Sequence, residues 1–441
     1  MKLIKLFCIS FVLCFALRAV AQQQQVDTLK VGSLSEVISR ALQQNPTQAV
    51  YLEQIKQARY NYKSSKGFIY PNASAGFTGT DNLSLAITPV PGELIGKPNT
   101  TLDVQFGKHY VYNTGVTVSQ SIFNWTSVMQ AKIANNNIRL TMLQQDSYVQ
   151  SLKEQVARYY FTALIAKSAL EIIAKDELLG DSVVTLTKER LQAGSTDLIS
   201  VNQSMINFNS IIQNKGQSQQ LYDQSIENLK ILLGTSPASG LDLSERLNLD
   251  SLTGVYVPQI GADRSLDVYR QEVTLADYQA RSQRSAAYPT IAATAYFGDQ
   301  QYRDNFGLSF GNHAWSEYNY IGLSINIPIF TGFSNANKYK SSLAQKNIAE
   351  LQYSSAAQQS GINDRLLVKN YADYLLMVKA SEASFKLYGD NLKLDQQKYK
   401  EGIISLDVYQ KAFQDYLTAE NTYLNNQSLL LSTKSTIISR Q

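Results

Sequence analysis

The sequence contains little cysteine and little histidine, which excludes several kinds of chemistry. Its 441 residues include 2 cysteines and 2 histidines. Both histidines, His109 and His313, fall in predicted loops or at loop edges, whereas a metal site requires several converging ligands. The sequence also has no glycine-rich phosphate loop and no nucleophile elbow. It therefore predicts no enzyme, no metal site and no bound cofactor.

Both cysteines, Cys8 and Cys14, lie near the amino terminus in a stretch with the pattern of an export signal. Two lysines precede an apolar run at residues 6–17, which is too short to cross a bilayer as a helix. Ala21 completes a cleavage site of small residues. We expect residues 1–21 to be a signal peptide cleaved after Ala21. The mature chain would then have no disulfide and no lipid anchor.

The sequence also has no large excess of positive or negative charge. The sequence has 40 basic and 36 acidic residues, and the expected signal peptide contains three of the basic ones. A chain so close to neutrality gives no reason to expect a nucleic-acid partner. No later apolar run approaches the roughly 18 residues of a membrane-spanning helix. If the exported chain crosses a membrane, we expect it to do so as β-strands in the outer membrane.

Proline and glycine are nearly absent from two very long stretches. Residues 334–400 contain no proline and two glycines, Gly361 and Gly389, and residues 124–193 contain no proline and a single glycine, Gly180. Without these residues nothing in the local sequence ends a helix. A helix of about 65 residues is roughly 100 Å long, far more than an ordinary globular domain needs. The sequence predicts two such helices.

A β-strand leads directly into each predicted long helix. In residues 320–327, isoleucine and leucine alternate with smaller or more polar residues, which is the period of a strand. Pro328 ends this strand, and Thr331 or Ser334 can cap the helix. Residues 116–122 alternate in the same way before the other long helix, where Asn124 is the candidate cap.

The spacing of these features indicates an internal duplication. Phe123 and Phe330 are 207 positions apart, and the glycines that end the long helices, Gly194 and Gly402, are 208 apart. Such self-similarity has to be recognised before a fold is assigned. We divide the mature chain into a first repeat, a linker and a second repeat, at residues 22–235, 236–262 and 263–441.

The remaining elements repeat in the same order. Each repeat has a helix, a strand, a loop, a strand, the long helix and a final helix. In the first repeat we expect these at residues 33–68 (interrupted after Asn45), 72–78, 80–107, 110–122, 124–193 and 195–233. In the second we expect them at residues 263–287, 290–297, 299–315, 320–327, 334–400 and 405 onward.

Four strands per chain cannot form a membrane-spanning structure alone. A closed barrel needs about eight strands, and a sheet edge cannot be left open in lipid. If the strands cross a membrane, several subunits must therefore share one barrel. The isoleucine-rich face of residues 321–327 would meet lipid, and the face with Gly322, Ser324 and Asn326 would meet water.

The layout, with Q-S-I-F-N-W at residues 120–125 and L-S-I-N-I-P-I-F-T-G at residues 323–332, resembles the TolC family of outer-membrane efflux proteins. The resemblance implies a mixed α and β membrane protein that is a homotrimer. It would form a 12-stranded β-barrel in outer-membrane lipid, continuous with a coiled-coil helical barrel across the periplasm. It also implies a passive exit duct in efflux or type I secretion, with a periplasmic adaptor protein and an inner-membrane pump as partners.

Two other interpretations remain open. A self-assembling coiled-coil structural protein of the cell envelope would also use long helices, although the polar second faces of the strands argue against it. A periplasmic enzyme or binding protein is the third possibility.

The turns after the long helices are the candidate partner site. Residues 190–197 match residues 398–405, with a basic residue four before each glycine and a helix-capping residue three after it. A glycine turn followed by a cap is sufficient as a purely structural explanation. The resemblance adds adaptor docking, and two adjacent isoleucines, Ile403 and Ile404, have no structural reason to be at a turn. The docking residues would be Arg190, Leu191, Gly194, Ser195, Asp197, Lys398, Tyr399, Gly402, Ile403 and Ser405.

The resemblance also implies a periplasmic gate just beyond the second turn. Members of the family often carry paired aspartates there. In this sequence Asp407 is near the first position, Gln410 occupies the second, and Ser200 is at the comparable place in the first repeat. Asp407 would either contribute to a ring of charge or act only as a carboxylate near a helix N-terminus.

Overall fold

A computed structural model describes residues 28–96, 98–247, 260–311 and 313–441. The expected signal peptide and residues 248–259 of the expected linker lie outside these ranges. The helices are α1 Leu34–Gln44, α2 Pro46–Ser65, α3 Trp125–Gln192, α4 Leu198–Leu233, α5 Ser265–Ser285, α6 Ser334–Lys400 and α7 Leu406–Ser439. The strands are β1 Thr28–Val31, β2 Asn72–Asp81, β3 Ile87–Pro91, β4 Thr101–Gln105, β5 Tyr110–Phe123, β6 Gly240–Leu243, β7 Thr290–Arg303 and β8 Ser316–Asn326.

The two long helices are confirmed, and so are their starting signals. Helices α3 and α6 contain 68 and 67 residues. The Asn124 side chain accepts a hydrogen bond from the backbone N–H of Ser127 (3.1 Å), as a capping residue does. Thr331 Oγ1 accepts from the backbone N–H of Asn335 (3.4 Å). Among the described residues, no helix combines the length and the hydropathy needed to cross a bilayer.

Two short pairs of strands were not predicted. Strand β6, inside the segment assigned to the linker, pairs in parallel with β1. Strands β3 and β4 form an antiparallel hairpin within the segment assigned to the loop at residues 80–107. Strands of four or five residues carry too few side chains to show a period, and Pro89 and Pro91 argue locally against a strand. Within the described residues, each pair forms a two-stranded sheet.

The chain divides into two compact units. Unit 1 lies within Met1–Val50, Tyr148–Asp263 and Gly361–Gln441. Its largest core packs apolar side chains of α1, α3, α4 and the β1–β6 pair, with Leu152, Val156, Tyr160, Leu229 and Leu233 almost completely buried. The alternation of apolar residues three and four apart along α3 brings them onto this one face.

Unit 2 lies within Tyr51–Ser147 and Arg264–Ser360 and contains the four-stranded sheet. All neighbouring strands are antiparallel, and their order is β2-β5-β7-β8. Short polar contacts hold α5 to the long helices: Gln271 Nε2 donates to Asn136 Oδ1 of α3 (3.0 Å), and the Lys346 ammonium of α6 lies 3.1 Å from Asp277.

The register gives the sheet one apolar and one polar face. Ala295 pairs with Ile321, whereas on the opposite face Thr294 pairs with Gly322. The predicted alternation in β8 is confirmed, and Ile321 and Leu323 are 81% and 63% exposed. The polar face contains serine, threonine, asparagine and glycine residues together with three tyrosines, Tyr296, Tyr318 and Tyr320.

Candidate functional site

Both predicted turns of unit 1 have the geometry that their glycines require. Gly194 and Gly402 adopt left-handed backbone conformations, with φ of 69° and 76°. At the first turn the Ser195 N–H donates to the Arg190 carbonyl (2.9 Å), and at the second the Ile403 N–H donates to the Lys398 carbonyl (2.8 Å). These bonds satisfy carbonyl groups that the end of a helix leaves free. The matched sequences at 190–197 and 398–405 therefore form matched turns.

The helices that follow the two turns begin differently. The Asp197 side chain accepts a hydrogen bond from the Ser200 N–H (2.8 Å) and caps α4. Ser405 occupies the corresponding position before α7, but its side chain makes no capping hydrogen bond. The prediction of a cap is confirmed for Asp197. Ser405 occupies the N-cap position of α7 with extended backbone, but the predicted capping by its side chain is absent.

This difference predicts unequal effects of alanine substitution. The backbone hydrogen bond from Ser200 holds the pKa of Asp197 below its ordinary value. A carboxyl group with a lowered pKa stabilises the fold above its unfolded pKa, and this contribution is lost as the pH falls through the folded pKa. Asp197→Ala should therefore lower the Tm at neutral pH, and the loss should shrink in acid. Ser405→Ala is the matched control and should change little. Equal Tm values for both variants at neutral pH would contradict the assignment.

Arg190 and Tyr399 connect the two turns to each other. The Arg190 guanidinium lies over the Tyr399 ring, 4.0 Å from its centroid, and Nη2 donates to the Tyr399 carbonyl (3.1 Å). The Tyr399 ring in turn stacks on Tyr409 of α7, with centroids 5.2 Å apart. Tyr399 is 1% exposed. Its ring therefore joins the turns from inside and offers no surface to a partner.

Polar side chains continue this connection along α4 and α7. Gln410 Nε2 donates to the Ser200 carbonyl (2.9 Å), so two of the three predicted gate residues contact each other. Farther along the helices, Asn207 Oδ1 accepts from Gln414 Nε2 (3.0 Å). Gln410 is buried and Asp407 is exposed. The contact between Asn207 and Gln414 was not predicted. The signal that could have indicated it is the presence of amide residues on helix faces that are otherwise apolar.

Apolar side chains are exposed at both turns. Leu198 and Ile199 next to the first turn are 61% and 76% exposed, and Ile403 at the second is 66% exposed. The adjacent Ile404 is only partly exposed because it packs against the cluster around Tyr409. The expectation that both isoleucines are exposed is therefore correct for the first only.

The exposed apolar row continues along α4 with the spacing of a coiled-coil seam. Leu198, Met205 and Ile212 are seven residues apart and 61%, 42% and 40% exposed. Ile199 and Ile206 form a second line beside it, 76% and 56% exposed. A heptad row of this kind normally packs against another helix. Among the described residues of unit 1, no helix covers this row.

Comparison with known proteins places the chain in a family. The family model described as outer membrane efflux protein matches residues 37–235 and 260–439. The outer membrane protein TolC of Vibrio cholerae is 22% identical over 290 residues, which are 63% of this chain and 62% of that relative. The matched part of the chain thus spans less than two thirds of this relative's length.

Solved structures show the same fold. The Campylobacter jejuni CmeC outer membrane channel has a TM-score of 0.72 at 15% identity, covering 92% of this chain and 85% of that one. A membrane protein from Pseudomonas aeruginosa has a TM-score of 0.74 at 16% identity, covering 92% and 93%. The open state of the Neisseria gonorrhoeae MtrE outer membrane channel has a TM-score of 0.71 at 18% identity, covering 94% of each chain. With the family model matched over most of its length, the chain belongs to the outer membrane efflux protein family, the family of TolC.

Proposed function

We propose that the chain is one subunit of a homotrimeric exit duct in the outer membrane. The duct would conduct cargo passively from an inner-membrane pump and a periplasmic adaptor to the exterior, in a tripartite efflux or type I secretion system. Family membership and the outer membrane channels of the same fold support this function. A coiled-coil structural protein would not need a sheet with one polar and one apolar face.

The observation that carries the proposal is the pair of open sheet edges. Strands β2 and β8 lie at the two ends of the sheet, and all 10 residues of β2 and all 11 of β8 are exposed. Long edge strands are normally shortened, charged or covered because they pair with other chains. In lipid they must be paired, and four strands are too few to close. Three copies joined β8 to β2 would give a closed barrel of 12 strands.

An apolar belt at the strand–helix junctions of unit 2 supports contact with outer-membrane lipid. Ile329, Phe330 and Phe333 are 94%, 75% and 70% exposed. Tyr70, before β2, is also 70% exposed. Aromatic side chains at the ends of membrane strands typically lie at the lipid interface. A water-soluble surface would not concentrate these residues in one belt.

We propose the two turns as the adaptor-docking site. The exposed members of the predicted set, among them Gly194, Ser195, Lys398, Gly402 and Ile403, would contact the adaptor, together with Leu198 and Ile199. Apolar side chains exposed at a turn support a protein partner. Arg190 and Tyr399 would not contact the adaptor themselves but would hold the two turns together.

We propose Asp407, Gln410 and Ser200 as residues of the periplasmic gate. The Gln410–Ser200 hydrogen bond would have to break or shift when α7 moves relative to α4. The exposed Asp407 carboxylate would contribute either to ion passage or only to the helix N-terminus. A change in ion selectivity of Asp407→Asn channels in lipid bilayers would support the first role, and unchanged selectivity would leave the second.

We also propose that residues 22–235 and 263–441 are two structural repeats joined through an equatorial region, residues 236–262. The matching order β5-α3-α4 and β8-α6-α7 supports this division.

Disulfide trapping tests the shared barrel. The expected mature chain has no cysteine, so each introduced thiol is the only one on its strand. Thr78→Cys in β2, combined with single cysteines scanned along β8, should yield covalent dimers and trimers on oxidation of outer membranes. Thr78→Cys alone is the matched control and should remain monomeric on a denaturing gel. Absence of cross-links along the whole of β8, together with a monomeric mass in detergent, would contradict the proposal.

A further inference from the structure

Two acidic side chains are buried against each other in unit 1, away from both turns. Asp176 of α3 and Glu420 of α7 are 3% and 4% exposed. The two carboxyl groups are close enough for a hydrogen bond once one of them carries a proton. The Tyr416 hydroxyl, also on α7, donates to Asp176 Oδ1 (3.1 Å). Acidic residues are almost never fully buried without a compensating partner.

The hydrogen bonds of the pair require a proton. Asp176 Oδ2 is buried and, while both carboxyl groups are ionised, has no hydrogen-bond partner among the described residues. Two ionised carboxylates would offer only acceptors to each other, and two buried like charges repel. A protonated Glu420 supplies the missing donor. Burial, followed by the hydrogen bond and the charge of Asp176, raises the pKa of Glu420 to about 9.

Asp176 is the member of the pair that keeps the negative charge. Burial raises its pKa, but the hydrogen bonds from Glu420 and Tyr416 and the positive charge of Lys175 oppose this rise. For Glu420, in contrast, burial and both interactions with Asp176 favour the protonated form and raise the pKa. The pair therefore holds one proton, on Glu420, and one negative charge, on Asp176.

Several of the charged groups on the surrounding helices form ion pairs of their own. A cavity of about 430 Å³ between α3, α6 and α7 is lined by Asp176, Tyr416 and three lysines. Two of these lysines form ion pairs within α6, and a neighbouring acidic residue of α3 is paired with α4. The pairs are Lys386–Glu382 (2.7 Å), Lys393–Asp390 (3.2 Å) and Lys215–Glu177 (2.5 Å). Of the lysines that line the cavity, Lys175 is the one whose charge acts on Asp176.

We propose that Asp176 and Glu420 hold one bound proton between α3 and α7 at neutral pH, and that losing this proton in alkaline medium weakens the contact between these helices. The folded state binds the proton more tightly than the unfolded chain, in which a glutamate has a pKa of about 4.3. The pair's contribution to stability is therefore complete below about pH 4.3, declines as the pH rises, and levels off above the folded pKa near 9. Helix α7 begins directly after the Gly402 turn, so a charge in this contact acts on the helix that carries the second turn.

The proton can be observed directly by infrared spectroscopy of the full-length protein in detergent. A protonated carboxyl group has a carbonyl band that an ionised one lacks. The spectrum of the wild type minus that of Glu420→Gln should show this band at neutral pH, and the band should disappear as the pH rises through about 9. In Asp176→Asn the band should remain but titrate at lower pH, because the repelling charge is gone. Glu227→Gln, at an exposed carboxylate of α4, is the matched control and should leave the band unchanged.

Thermal unfolding provides the second measurement. The Tm of Glu420→Gln relative to the wild type should rise steadily from about pH 5 to about pH 9, because the amide has no proton to lose. Glu227→Gln should follow the wild type throughout. A wild type without the carboxyl band at neutral pH, or a Glu420→Gln variant with the wild-type dependence of Tm on pH, would overturn the proposal. If Glu420→Gln does not fold, the test is the carboxyl band in Asp176→Asn. Titration of that band at the same pH as in the wild type would then overturn the proposal. Neither measurement depends on transport, so the outcome is independent of the proposed function.

Discussion

Gly298→Ala should prevent assembly of the sheet, while Gly322→Ala should not. Gly298 of β7 pairs across the sheet with Gly115 of β5. A Cβ atom at Gly298 would lie 2.3 Å from the Thr114 carbonyl oxygen and 2.8 Å from the Gly115 Cα, both of them backbone atoms. Backbone cannot rotate away as a side chain can, so the central strands would have to separate. In contrast, a Cβ at Gly322 on the same face would meet no atom within 4 Å.

Two effects should lower the stability of the Gly298→Ala sheet. Overpacking of a close contact costs about 1–3 kcal/mol, and each hydrogen bond lost between β5 and β7 adds about 1 kcal/mol. Such a loss is a large fraction of the stability of a typical protein. The measurement is the yield of heat-resistant oligomer in outer membranes, compared with total protein. Wild-type yield of oligomer from Gly298→Ala would contradict the close approach of these strands.

Arg190→Ala should release the two turns from each other. The substitution removes the guanidinium from the face of Tyr399 and the hydrogen bond to its carbonyl. A partly desolvated cation–π contact contributes about 1–2 kcal/mol, and a hydrogen bond from a charged group about 1.5–3 kcal/mol. A loss of 1.4 kcal/mol changes an equilibrium ten-fold. We therefore expect a ten-fold or larger gain in the population of open channels.

Single-channel recording in lipid bilayers measures this gain as open probability, and entry of a large antibiotic into intact cells provides a second readout. Arg190→Lys keeps the charge but loses the planar group that stacks on Tyr399, so its effect should be intermediate. The control is Lys393→Ala, which removes an exposed cation of α6 that forms an ion pair with Asp390 of the same helix. Unchanged open probability in Arg190→Ala, with oligomer yield intact, would mean that this contact does not limit opening.

Local sequence determined the elements of this chain because their signals act within a few residues. The absence of proline over residues 334–400 was enough to predict α6 with its observed bounds. Gly194 and Gly402 marked the turns because glycine adopts the left-handed conformation at little cost. Alternation in β8 predicted its two faces correctly, since side chains of a strand point to opposite sides in turn.

The partners of each side chain were decided only by the tertiary structure. Tyr399 was predicted as part of a docking surface, yet its ring is buried between Arg190 and Tyr409. Arg190 lies in the first repeat and Tyr409 in the helix after the second turn, so local sequence could not indicate this packing. Ser405 matches Asp197 in position but not in hydrogen bonding. Asp176 and Glu420 carry no local pattern that marks them as a pair. Burial, hydrogen bonding and proton affinity depend on which helix faces which, and that choice is made by long-range packing.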